Sequence, residues 1–245
     1  MGNVCNEYVP FGTRPLFSRD AAEIATQMSQ FSINELEELL RVNSKIALEN
    51  YRRFQEFHSS DIPLLHAILS YTGVVFKRLN PLDFTKEDFQ YAQDHLFITS
   101  FCYGLLRPLD LIKPYRMEGD IKLPEFGDIR IFDYWRPRFT SLFIQKIRES
   151  GGVLANLASE EMKQLFEWNK IQKEVNIITP EFKTWKNGKL TSIVIYTKMA
   201  RGEMTRYILK NQIQDVELLK KFEWEGFVYD PEMSDERNFI FVSGN

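Results

Sequence analysis

Between Arg107 and Arg116 the chain reads RPLDLIKPYR, with three cations, two prolines and a tyrosine on ten residues. Prolines stiffen such a loop, and cations held on a stiff loop suit an anion, phosphate above all. A second set of cations, Lys198, Arg201 and Arg206, lies in YTKMARGEMTR. There Lys198, Arg201 and Thr205 share one helical strip through their i, i+3, i+7 spacing. Four segments have a common form, an apolar run followed by polar or basic residues. They are SYTG at 70–73, YGLLRPLDLIKPYR at 103–116, NLASEE at 156–161 and YTKMARGEMTR at 196–206. In open α/β sheets ligands bind beyond the carboxyl ends of strands, where loop amides and helix N-termini offer donors to anions. If these ends converge, Arg107, Lys113, Arg116, Lys198, Arg201 and Arg206 surround one crevice. Tyr71, Tyr103 and Tyr115 are then available to stack, and Thr72, Asn156 and Ser159 line the walls.

Each piece also has a purely structural reading. Arg107 can pair with Asp110 across the proline turn, and Asn156 and Ser159 can cap the helix beginning EEMKQLF, whose early acids suit its dipole. A charged helical strip is commonly a solvated face, and Tyr103 and Tyr115 can be aromatics at the rim of the core. The number of such segments, rather than any one of them, favours a site.

Other chemistries find little support. The chain has no G-x-S-x-G elbow, no Walker or dinucleotide glycine pattern and no Cys beside a His. Its histidines, His58, His66 and His95, lack metal-ligand spacing, so neither a metal site nor a cofactor is expected. Cys5 and Cys102 are far apart, and Cys102 sits in an apolar run, as in a reduced, cytoplasmic protein. The longest mostly apolar stretch, FITSFCYGLL, is too short to cross a bilayer. With 44% hydrophobic and 27% charged residues, the 245-residue chain suits a soluble globular protein with a substantial core. The net charge is −3, yet residues 183–210 hold seven Lys or Arg against Glu203 alone, whereas residues 211–245 carry eight acids and three cations. An acidic chain can still build a local basic surface.

The elements that must position these residues are legible in part. Ser32-Ile-Asn-Glu35 reads as a capping box opening a helix that buries Ile33, Leu36, Leu39 and Leu40. Val42-Asn43-Ser44 interrupts it, with Ser44 as the next N-cap. IALENYRRFQEF then forms a second helix with Ile46, Asn50, Phe54 and Phe57 on one stripe and Arg52 and Arg53 facing away. LFITSFCYGLL, GGVLANLAS, VNIITPEF and LTSIVIYT suit strands, and SLFIQKIRES, SEEMKQLFEW and ARGEMTRYILKNQI suit helices. SYTGVVFKRL fits either. The expectation is one α+β (mixed α/β) domain over residues 1–245, with a largely buried mixed sheet surrounded by helices.

In order and spacing, SYTG, SFCYGLLRPLDLIKPYRMEG, FDYW, NLASEEM and YTKMARGEMTRYILKN resemble the YaaA family of bacterial peroxide-stress proteins, from about Pro15 to about Tyr229. The resemblance implies a single-domain cytoplasmic protein, a monomer, with an unusual mixed fold. It also implies a helix-hairpin-helix element and a basic cleft that bind double-stranded or distorted DNA, and a role in limiting free intracellular iron and oxidative damage. Matched segments place the hairpin within residues 32–57, as SINELEELL, the turn RVNS and KIALENYRRF, with Arg41, Asn43, Ser44 and Lys45 as candidate phosphate ligands. Relatives open with a short apolar strand and a Ser-x-Ala-Lys-Thr type segment, which MGNVCNEYVPFGTRPLF does not show.

Two further functions stand beside DNA binding. One is an enzyme acting on a nucleotide or nucleic-acid component in the same cleft, with Arg116, Lys198 and Arg201 gripping phosphate. The partner would then be a phosphate-bearing small molecule. The other is an iron-sequestering protein using carboxylates.

Overall fold

The computed structural model describes residues 1–2 and 6–244, so Cys5 lies outside the described residues. Three helices open the chain: α1 (Ser18–Met28), α2 (Ile33–Leu40) and α3 (Ser44–Gln55). The capping box that starts α2 is present, with Ser32 accepting from the Glu35 amide and the Glu35 carboxylate accepting from the Ser32 amide. Arg41 ends α2 in the left-handed region, at φ 52°. Asn43, not Ser44, caps α3, its side-chain oxygen accepting from the Ile46 amide at 3.0 Å. Ser44 already belongs to the helix and donates its hydroxyl to Glu37 instead. Of the expected α3 stripe, Asn50, Phe54 and Phe57 are buried, joined by Ala47. Arg52 faces out, but Arg53 folds back on Glu49 and its side chain is only 19% exposed.

A series of short elements follows. β1 (Leu65–His66) leads into α4 (Ala67–Ser70), α5 (Val74–Leu79) and α6 (Lys86–His95). The ambiguous VVFKRL is therefore helical, starting after Gly73 and stopping at the left-handed Asn80. SYTG does not follow a strand, because Ser70 closes α4 with its hydroxyl on the His66 carbonyl. LFITSFCYGLL is a hairpin of β2 (Ile98–Ser100) and β3 (Gly104–Leu106). Its return depends on Gly104, at φ +71° with Trp135 close enough to exclude a Cβ. β4 (Leu111–Ile112) pairs with β1, and β5 (Lys122–Leu123) with β6 (Ile129–Arg130). The opening segment also enters this region, where the Thr13 amide donates to the Leu109 carbonyl and the Leu111 amide to the Thr13 carbonyl, bridging Thr13 to Asp110.

The long α7 (Ile131–Glu149) leads to the main sheet. β7 (Val153–Ala155) runs parallel to β8 (Asn176–Lys186), with α8 (Glu160–Lys163) and α9 (Trp168–Glu174) in the crossover. β9 (Lys189–Thr191) returns antiparallel to β8 through Asn187-Gly188, both at positive φ. This is the type I′ geometry suited to a two-residue hairpin. α10 (Val194–Lys210) then precedes β10 (Phe227–Tyr229) and β11 (Asn238–Ser243). β11 is parallel to β8 and antiparallel to β10, giving the order β10-β11-β8-β7 with β9 on β8.

The expected strand LTSIVIYT is thus overturned beyond Thr191, since residues 194–197 form the first turn of α10. Tertiary packing overrides the β-branched preference. Ala200, Gly202 and Met204 are buried, and a Cβ on Gly202 would meet the Val75 carbonyl at 2.3 Å. That close crossing of α10 over α5 requires the helix. One apolar cluster lies among α1–α7, α9 and the small hairpins, with Trp135 and Tyr134 its largest fully buried side chains. A second lies between β8, β10, β11 and α10. The molecule is a single compact mixed α/β domain whose larger sheet is mixed in direction.

Candidate functional site

The exposed end of the α2–α3 hairpin is the first candidate. Asn43 takes up the Ile46 amide and its carbonyl accepts from Ala47. The amides of Ser44 and Lys45, which have no intrahelical acceptor, sit at exposed positions. Arg41 occupies the left-handed turn position that hairpins usually give to glycine. Its side chain is 80% exposed and 3.9 Å from Asp120, a weak contact in solvent. Lys45 has no carboxylate within ion-pair distance among the described residues. Two free amides and two cations therefore share one helix end.

The 107–116 loop divides its cations among different tasks. Asp110 accepts from the Arg107 amide at 2.8 Å, so the turn pairs with the Arg107 backbone rather than its side chain. The guanidinium lies 4.6 Å from the Phe97 ring centroid, its Nε buried without a partner. Desolvation lowers its pKa, opposed by Asp94 and Asp110. Lys113 donates its ammonium to the Phe57 and Ser59 carbonyls, which closes the chain after α3. Arg116 reaches Glu118 at 3.3 Å. Burial raises the Glu118 carboxyl above its ordinary range, Arg116 and Arg41 opposing and Glu161 reinforcing. Residues 116–120 therefore lie beside both the α2–α3 turn and the start of α8.

The tyrosines do come together, but inside the protein. The Tyr115 hydroxyl is 2.8 Å from that of Tyr71 and 2.6 Å from the Ser100 hydroxyl. The Tyr103 hydroxyl accepts from the Lys113 amide. Burial pushes the Tyr71 phenol up to about 12 and raises Tyr103, Tyr115 and the Cys102 thiol. Tyr103 and Tyr115 are buried, whereas Thr72 is exposed.

The cations of α10 also separate. Lys198 is exposed. Arg206 forms a two-pronged pair with Asp83 and also donates to the Leu79 and Asn80 carbonyls. Hydrogen bonding to Arg206 holds the Asp83 carboxyl below its ordinary value. Arg107 and Arg206 thus lie near opposite ends of α6, each engaged locally. Arg201 lines a groove of about 370 Å³ whose walls come from α8, α9, β8, α10 and β11. Ser159 accepts from the Met162 amide as the α8 cap, and Asn156 accepts from Ala158 in a tight turn.

The surface beside the hairpin thus gathers Arg41, Asn43, Ser44, Lys45 and Arg116. Thr197 and Arg237, which also line the groove, had no place in the reading of the sequence. The i, i+4 spacing of Thr197 and Arg201 could have revealed the first, had residues 193–197 been read as helix. No sequence pattern links Arg237 to them, because β11 reaches β8 only in the fold. Among the described residues no group of three or more His, Cys, Asp or Glu could hold a metal ion, and no helix is long and apolar enough to cross a membrane.

Residues 3–233 match the family model described as peroxide stress protein YaaA. The chain is 61% identical over 244 residues to a UPF0246 protein of Bacteroides thetaiotaomicron, covering 100% of this chain and 95% of that protein. It is 53% identical over 233 residues to one from Parabacteroides distasonis, covering 95% and 92% respectively. A third, from Porphyromonas gingivalis, is 49% identical over 231 residues, covering 94% and 90%.

Proposed function

The chain belongs to the peroxide stress protein YaaA family, and from this membership we propose that it serves the peroxide-stress response by binding the DNA backbone as a cytoplasmic monomer. The observation that carries this reading is the exposed α3 N-terminus, with the Ser44 and Lys45 amides flanked by Arg41 and Lys45. Such an end combines free N–H donors with the positive pole of the helix and accepts a phosphate without reading a base. Arg116, beside the same turn, supplies a further cation. Double-stranded or distorted DNA suits the geometry, because phosphates are presented at its surface whatever the sequence. Protection would act at the DNA, with the lowering of free iron and oxidative damage a consequence that needs no iron ligand from the protein.

Duplex binding measured by fluorescence anisotropy tests the proposal. With about three phosphates neutralised, log K should fall against log salt with a slope of about −3. Reversing Arg41 and Lys45 together to Glu should reduce the slope and weaken unrelated duplexes alike. Salt-independent binding, or unchanged affinity in the double variant, would contradict the assignment.

A further inference from the structure

Arg201 is the least explained cation in the molecule. Its Nε is buried and has no hydrogen-bond partner, and its guanidinium forms no ion pair among the described residues. Desolvation lowers its pKa, with Glu160 and Glu181 opposing from a distance. Both acids are already served by lysines, Glu160 by Lys163 and Glu181 by Lys183 at 3.1 Å. One turn earlier on α10, the Thr197 hydroxyl is also buried without a partner. A buried polar group left unpaired is costly, and a charged one more so. Two such groups at i and i+4 on one helix face point to a missing partner rather than to chance.

Both residues line the same groove, and so does Arg237. Arg237 is exposed and has no ion-pair partner among the described residues. Ile177 and Phe182 give the groove apolar surface, while Thr179, Ser192 and Asn238 add neutral polar groups. Its volume of about 370 Å³ lies at the small end of the range for small-molecule sites.

We propose that this groove is a binding site for a small phosphate monoester, held by the Arg201 and Arg237 guanidiniums and the Thr197 hydroxyl. Glu160 and Glu181 also line the groove, but each is paired with a lysine, and neither Arg201 nor Arg237 has a direct carboxylate partner among the described residues. Two such guanidiniums match the double charge of a phosphate monoester better than a single carboxylate. Planar forks also suit tetrahedral oxyanions through paired N–H···O contacts. The organic part of the ligand lies along Ile177 and Phe182. No bond is made or broken in this proposal, which is independent of the DNA contact at the α2–α3 turn.

Isothermal titration of the full chain with inorganic phosphate, ribose 5-phosphate, adenosine 5′-monophosphate and acetate tests it. Saturable binding of at least one phosphate monoester is expected, tighter than inorganic phosphate, with acetate weaker than both. Arg201→Gln should weaken the monoester about tenfold or more, a loss of about 1.4 kcal/mol, and leave duplex binding unchanged. Thr197→Val should weaken it less. The thermal midpoint of unliganded Arg201→Met should stay level or rise, because a desolvated and unpaired charge has been removed. Absence of saturable monoester binding at millimolar concentration, equal binding by Arg201→Gln, preference for acetate, or a marked fall in the Arg201→Met midpoint would each overturn the proposal. The last would assign Arg201 to the fold.

Discussion

Lys113 and Arg206 show how cations in a suggestive sequence context can be spent on the fold. Lys113 satisfies the Phe57 and Ser59 carbonyls, so Lys113→Met should destabilise the protein by about 1–3 kcal/mol. Duplex affinity should stay unchanged, which urea unfolding and anisotropy together would check. Arg206 holds the Asp83 carboxyl below its ordinary value, and Arg130 does the same to Asp133. A carboxyl with a depressed folded pKa contributes stability above its unfolded pKa and loses that contribution as pH falls through the folded value. Asp83→Asn should therefore lower the thermal midpoint at neutral pH and flatten its decline on acidification below the ordinary carboxylate value of 3.8. Both carboxylates are partly exposed, which keeps the effect modest. Such commitments could not be read from sequence. The acid that neutralises Arg206 is more than a hundred residues away, and nothing in RPLDLIKPYR shows that Lys113 turns toward the end of α3.

At the scale of elements, local signals served well where the chemistry was local. Ser32 and Glu35 announced the start of α2, and the two helices α2 and α3 were visible in their apolar stripes. Local signals failed where neighbours decide. Residues 194–197 are β-branched and aromatic, yet they enter α10 because Gly202 lets that helix cross α5 at main-chain distance. Gly202→Ala would force its Cβ into the Val75 carbonyl, and should destabilise the protein by about 1–3 kcal/mol or more, measurable by urea unfolding. Asn43→Ala should cost about 1 kcal/mol through loss of the α3 cap. The same change loosens the helix end proposed to hold phosphate, so duplex affinity should fall with it. Of the segments expected to lie at strand ends, those after β3 and β7 do so. Those at 70–73 and 196–206 belong to helix boundaries and a helix interior. Placement at strand ends was thus only half legible, since sheet order depends on pairings that no single segment encodes.

For the whole molecule, a net charge of −3 coexists with a basic 183–210 segment and an acidic C-terminal portion. The fold engages much of that basic segment internally: Lys183 with Glu181, Arg206 with Asp83 and Lys210 with Asp88. At the α2–α3 turn Arg41 has only the 3.9 Å contact with Asp120 and Lys45 has no ion pair among the described residues, so the proposed DNA contact rests on these two cations. The account therefore expects a small contact, a modest salt slope and little sequence preference, rather than the steep dependence of a protein coated in positive charge. Amide hydrogen exchange with and without a short duplex tests this most directly, because it reads the proposed donors themselves. The account predicts slowed exchange at residues 43–46, with smaller effects near Arg116. Unchanged exchange there in a sample fully bound to DNA, with protection elsewhere, would contradict it.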